Sequence, residues 1–265
     1  MTLLLFGRIV GMGLRQQMAY RLAMWAGLAT NLFFGLLRVI VLIALYQAQL
    51  SVNGMSLQQA ITYSAVAQSV IAFLTVFGSS DLMRTVYSGA IATDLMRPVG
   101  FYGYWLARDF GGSLVNLVGR GLVFLLLFRL FYAVDLPNDV IAWLCFGVSL
   151  ALGWWVSFSW RFLVNLASFW TPDALGVGRA LFGISQLFSG FIMPLRLMPD
   201  WFRQWSEFTP FPSMVNTPIE VYVGLLSGAE LWRALLWQAG WALALFGVAQ
   251  LVYAAGIRRL VLQGG

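Results

Sequence analysis

Six apolar stretches, each approaching or exceeding the ~20 residues that cross a hydrocarbon core, constrain this chain more than any motif in it. They are expected at about 22–46, 56–77, 110–131, 140–163, 176–193 and 234–255. Of the 265 residues 60% are apolar and only 10% charged, against roughly 45–50% and ~25% in soluble domains. Too few polar groups remain to cover a soluble core. The expected fold class is an all-α polytopic membrane protein, a single transmembrane domain over 1–265 with six transmembrane helices.

Residue types then remove whole classes of chemistry. All 16 basic residues are arginine, and histidine is absent. A phosphate-binding G-x-x-x-x-G-K-[ST] loop is impossible without lysine, and no imidazole is present for a metal, a haem or a proton relay. Cys145 stands alone in an apolar run and reads as packing. The net charge of +6 marks cytoplasmic helix ends and does not point to nucleic acid.

Punctuation divides the chain. Residues 1–21 form an amphipathic segment, clearest over 3–20, with Arg8 and Arg15 seven apart on one face. No basic region precedes its first leucines and no small-residue cleavage site follows, so a helix lying in the membrane interface is expected. Asn53-Gly54 signals a turn within 47–55, and Ser56 with Gln59 makes a capping box for the second stretch. Thr171-Pro172-Asp173 marks a loop and helix start, and Pro194 stops the fifth stretch. Residues 195–230 are too polar and proline-rich to span. Within them Trp201, Phe202, Trp205 and Phe208 give one aromatic face, which suits headgroup level.

Arginine placement sets the orientation. Arg8, Arg15, Arg21, Arg84, Arg97, Arg108, Arg161, Arg179, Arg258 and Arg259 fall on one side, and the first two loops opposite carry none. Both termini are therefore expected in the cytoplasm, with 194–233 outside. Arg38, Arg120 and Arg129 lie within apolar runs. Arginines so placed are functional suspects: Arg120, near mid-span, faces an anionic headgroup or acidic substrate, or else all three snorkel to an interface or pair with backbone carbonyls and helix ends. The densest charge lies in 78–109, GSSDLMRTVYSGAIATDLMRPVGFYGYWLARD, where Leu82, Met83, Val86, Ile91, Leu95 and Met96 are too many apolar side chains for a bare loop. A partner-bound helix explains them.

The segment SGAIATDLMRPVGFYGYWLARDFG (88–111) resembles the cytoplasmic loop between spans two and three of permease subunits of type-2 ATP-binding-cassette exporters, in the short six-span subfamily without a fused ATPase. SGFIMPLRLMPDWF (189–202), PFPSMVNTPIEVYVGLLSG (210–228), Gln238 with Trp241, and GIRRLVLQGG (256–265) are similar to the same subfamily, and MAYRLAMWAGLATN (18–31) fits its interfacial helix running into span one. The resemblance implies a half-transporter in the bacterial cytoplasmic (inner) membrane that pairs with a second permease, a related chain or a copy of itself, and docks on separate ATPase subunits. No cofactor is expected on this chain; ATP and Mg²⁺ sit on the partner ATPase. A coupling helix is implied over 81–97, with Asp81, Arg84, Asp94 and Arg97 as polar contacts and Pro98 as its end. The implied substrate is amphiphilic, lipid-like or drug-like, moved by alternating access past Tyr63, Gln68, Phe73, Arg120, Phe182, Gln186 and Ser189.

Two rivals have less to stand on. An ion-gradient carrier usually has inverted repeats and an acidic group at mid-membrane, and here every acidic residue reads as lying at a span end or in a loop. An intramembrane lipid-modifying enzyme needs a nucleophile, an acid–base pair or a metal, for which this composition offers almost nothing.

Overall fold

The computed structural model describes residues 3–47 and 51–259; the end of the 256–265 motif and part of the 47–55 turn lie outside them. Helix α1 (Leu3–Met18) leads into α2 (Arg21–Tyr46). A small antiparallel ribbon, β1 (Ser51–Val52) with β2 (Met55–Ser56), precedes α3 (Leu57–Leu74). Two short helices follow, α4 (Asp81–Tyr87) and α5 (Ile91–Leu95). Helix α6 (Phe101–Asn116) passes through a π-helical turn (Leu117–Leu122) into α7 (Val123–Phe128). Then come α8 (Val140–Leu166), α9 (Ala174–Phe188), the short α10 (Asp200–Glu207), α11 (Phe211–Met214) and α12 (Asn216–Val223), and finally α13 (Gly228–Ile257).

Four of these helical stretches are long and apolar enough to cross a membrane: Arg21–Tyr46, Phe101–Phe128, Val140–Phe169 and Gly228–Ile257. The other two expected spans are shorter. Helix α9 has 15 residues, and α3 has 18, of which every one from Ala60 to Ile71 is buried. Helix α3 is therefore an axle wrapped by its neighbours, which is why it tolerates glutamine, serine and threonine. Two boundaries also move. The third apolar helix begins at Phe101 rather than 110, and the last at Gly228 rather than 234. Charged residues that read as loop are helical in both: on α6 Arg108 and Asp109 are answered by Gln16 and Arg161, while on α13 Glu230 and Arg233 are exposed. The ribbon is a small exception to an all-helical chain. Asn53 (φ 47) and Gly54 (φ 76) both adopt positive φ, the requirement of the tight hairpin turn that Asn-Gly favours.

Side-chain bonds show which segments share an end of the bundle. Asn53 Nδ2 donates to the Arg196 carbonyl at 2.7 Å, and the Asp135 N–H donates to Thr62 Oγ at 3.1 Å. The arginine-free turns thus lie together with the segment after α9. At the opposite end, Phe101 stacks on Tyr253 with centroids 5.0 Å apart, so the start of α6 meets the end of α13. Helix α1 packs along α6 at the same end, where the two backbones touch. A Cβ on Gly13 would overlap the Arg108 carbonyl, and one on Gly111 would overlap the Val10 carbonyl. Gly13→Val is expected to lower the melting temperature in detergent, at an overpacking cost of about 1–3 kcal/mol. Gly11→Val, whose added carbon meets open space, is expected to leave it nearly unchanged; equal effects would show that the crossing is not tight.

Candidate functional site

The segment between α3 and α6 is where polar chemistry and exposed surface coincide. Helix α3 ends because Thr75 turns left-handed (φ 50). Gly78 (φ 80) then takes the chain against the ring of Phe182, where no side chain would fit. The single coupling helix expected over 81–97 is two helices instead. Gly89 adopts φ 74, a conformation that terminates α4 at little cost for glycine alone.

The four expected contact residues divide. Asp81 and Arg84 are exposed on α4, with Arg84 Nε 3.5 Å from Ser80 Oγ. Asp94 is buried and accepts from Arg97 Nε at 3.1 Å. Arg97 in turn covers the Tyr104 ring at 4.6 Å, so this pair holds α5 against α6. The surface left open at the tip is uncharged: Tyr87, Ser88, Gly89, Ala90, Thr93 and Met96 are exposed.

Beneath that surface α4 is wired to the long helices. The Met83 N–H donates to Asn165 Oδ1 at 3.1 Å, while Asn165 Nδ2 donates to the carbonyls of Ser79 (2.6 Å) and Arg161 (2.7 Å). One amide on α8 thereby fixes the start of α4. The other end is held by the Tyr87 hydroxyl, which donates to the Thr171 carbonyl at 3.2 Å and accepts from the Ala174 N–H at 3.0 Å. Helix α4 is thus tied at its start to the end of α8 and at its end to the start of α9.

A buried ion pair lies alongside. Arg161 of α8, only 4% exposed, grips Asp109 of α6 with both nitrogens, at 2.6 and 3.0 Å. Trp154 Nε1 donates a third bond to Asp109 at 2.9 Å. Next to it, Arg108 stacks on Trp105 at 4.9 Å and donates two bonds to Gln16 of α1. These groups border a cavity of about 160 Å³ that also meets Asp81 and Asn165. Residue order alone places Asp109 in a loop and Arg161 at a helix end, so the pair is invisible until the helices are packed. Of its features, only an aspartate so near an apolar run pointed toward it.

The residues expected along a substrate route are dispersed. Tyr63, Gln68 and Phe73 are buried within α3. The Tyr63 hydroxyl bonds the Gly190 carbonyl and Asn216 Oδ1, each at 2.9 Å. Phe182 packs on Met83 and borders a cavity of about 300 Å³ with Arg84 and Arg179. Ser189 is buried and donates to the Gln186 carbonyl at 2.9 Å. Arg120, on the π-helical turn, donates to Asn31 Oδ1 at 2.6 Å and lies across Gly27. These seven side chains do not share a cavity among the described residues.

A larger crevice of about 710 Å³ opens at the other end, between α10, α12 and α13, with Arg196, Glu207, Glu220, Arg233 and Trp237 on its walls. Arg196 Nε donates to Glu220 at 2.7 Å. Burial pushes the Glu220 carboxyl above the usual carboxylate range, Arg196 opposes that, and Glu207 adds to it. A carboxyl with a raised folded-state pKa binds more protons folded than unfolded, so its contribution to stability falls as pH rises. Wild type is therefore expected to lose stability relative to Glu220→Gln as pH is raised through that pKa; parallel melting-temperature curves for the two would contradict it. For the ion pair, Asp109→Asn leaves Arg161 uncompensated and is expected to cost about 3–5 kcal/mol. Asp109→Asn with Arg161→Met should recover part of that loss, measured by thermal unfolding.

Comparison with known proteins places this arrangement. No curated protein matches the chain. A family model described as ABC-2 family transporter protein matches residues 32–264, from within α2 through α13 and beyond. The chain belongs to the ABC-2 transporter family.

Proposed function

We propose that this chain is the membrane-spanning half of an ATP-driven exporter, with α4 and α5 as its contact with the ATPase. Membership of the family makes it the membrane subunit of an ATP-binding-cassette transporter and implies an ATPase subunit as partner. The observation that carries the coupling assignment is mechanical. Helix α4, which leads into the exposed tip, is bonded at its start through Asn165 to α8 and at its end through Tyr87 to the start of α9, so a push on the tip would be felt by both. Asp81 and Arg84 are exposed charges beside it, and Asp94 with Arg97 shapes the platform from within.

In this reading the chain crosses a bacterial inner membrane six times, with α3 and α9 as the two short spans and both termini in the cytoplasm. A second permease, a related chain or a copy, completes the translocation route. ATP and Mg²⁺ bind on the paired ATPases, whose closure drives α4 and α5 together. The two permeases then exchange inward-open and outward-open packing and release an amphiphilic, lipid-like or drug-like substrate outward. The aromatic residues Trp201, Trp205 and Phe208, exposed along α10, suit the outer headgroup layer.

The test is co-purification of the tagged full chain from its native membranes in mild detergent, followed by identification of bound proteins and assay of ATP hydrolysis. An ATP-binding-cassette ATPase is expected with the wild type. Asp81→Ala/Arg84→Ala is expected to reduce its recovery several-fold, and Tyr87→Phe to retain binding while weakening substrate-stimulated hydrolysis. Absence of any ATPase from the wild-type preparation would overturn the proposal.

A further inference from the structure

Arg38, Arg120 and Arg161 sit in the bodies of apolar helices, and the structure treats them differently. Arg161 is neutralised by Asp109. Arg120 is held by Asn31, whose own amide is anchored on the Gln68 carbonyl at 2.9 Å. Arg38 has neither arrangement. Its guanidinium carbon lies 4.3 Å from the centroid of the buried Phe191 ring. Among the described residues it is in none of the ion pairs and none of the side-chain hydrogen bonds.

Its position makes that costly. Arg38 is eight residues from the end of α2 at Tyr46, or about 12 Å along the helix axis. Side chains lean toward the N-terminus of their helix, here away from that nearer end and toward the middle of the membrane. A charge held at such depth costs at least ~2.5–3.5 kcal/mol on insertion scales, and one aromatic face returns only about 0.5–2. The side chain is half-buried, so its nitrogens remain open to something outside the chain.

The chain has no carboxylate to send there. Of its ten acidic residues, Asp109 alone lies in the body of a long apolar helix, and Arg161 grips both its oxygens. Glu220 is buried and bonded to Arg196. A second copy would bring the same set and a second unpaired Arg38. Around Arg38 the surface of α2 is apolar, with Phe34, Leu37, Val41 and Leu45 exposed. A cationic point set in an apolar strip has the chemical form of an anionic amphiphile's complement.

We propose that Arg38 is an anion-binding group on the substrate route, taking the phosphate, carboxylate or sulfonate head of an amphiphile whose tail lies along Phe34, Leu37, Val41 and Leu45. This rests on the transporter reading and narrows its substrate class. The test uses the full chain in phosphatidylcholine nanodiscs, with binding of dodecyl phosphate and dodecyl trimethylammonium measured by thermophoresis. Wild type is expected to prefer the phosphate roughly tenfold or more, the worth of one charge-assisted bond. Arg38→Gln is expected to lose that preference, Arg38→Lys to keep most of it, and Arg179→Gln, at an exposed site on α9, to behave as wild type.

Equal binding of the two amphiphiles by wild type, or an undiminished preference in Arg38→Gln, would overturn the proposal. Hydrolysis by the assembled transporter separates the sources of the anion. Stimulation by dodecyl phosphate that disappears in Arg38→Gln marks transported cargo. Competition by phosphatidylglycerol without stimulation marks a resident lipid head and overturns the cargo assignment. Arg38→Gln should still recover the ATPase, so a failure here is distinct from failure of the partner assignment.

Discussion

Helix α3 carries hydroxyl side chains into a buried setting, and Thr62, Tyr63 and Ser69 find their bonds on its neighbours. In hydrocarbon an unanswered polar group costs several kcal/mol, so each contact on α3 selects one placement of the element it meets. Tyr63 holds the turn at Gly190 and the start of α12 through Asn216. Thr62 holds the loop at Asp135, and Ser69 donates to the Gly121 carbonyl on the π-helical turn. Asn31 of α2 donates to the Gln68 carbonyl, and Ser157 of α8 to that of Leu74. The register of the bundle is set from this one helix outward.

The same cost governs the arginines. A guanidinium within the bundle needs a carboxylate, an amide or an aromatic face, and Arg161, Arg120 and Arg38 take one of these each. The strongest arrangement sits where α1, α6 and α8 converge. Its neighbour Asn165 also secures α4. The two arrangements share a location: the ion pair joins α6 to α8, and the asparagine ties the start of α4 to α8.

Much of this was legible from residue order. The capping box at Ser56 and Gln59, the Asn53-Gly54 turn, the Asp173 helix start and the amphipathic first helix are local, and their determinants lie within seven residues of one another. The family was legible too, because its signature lies in the order of modest motifs along the whole chain. Charged residues were read less well. Arg108 and Asp109 look like loop, since a charge beside an apolar run ordinarily ends it, and only partners 92 and 52 positions away make them helical.

What the sequence determined by itself is the solvent, the helical class and the local punctuation, since these depend on composition and on short-range chemistry. What the tertiary structure decided is which charges are spent inside the fold and which remain open. Asp94 and Arg97 satisfy each other, Asp109 and Arg161 close a buried pair, and among the described residues Asp81, Arg84 and Arg38 are in no ion pair. Pairing across helices depends on their rotation and register, and those follow from burying α3 on every side.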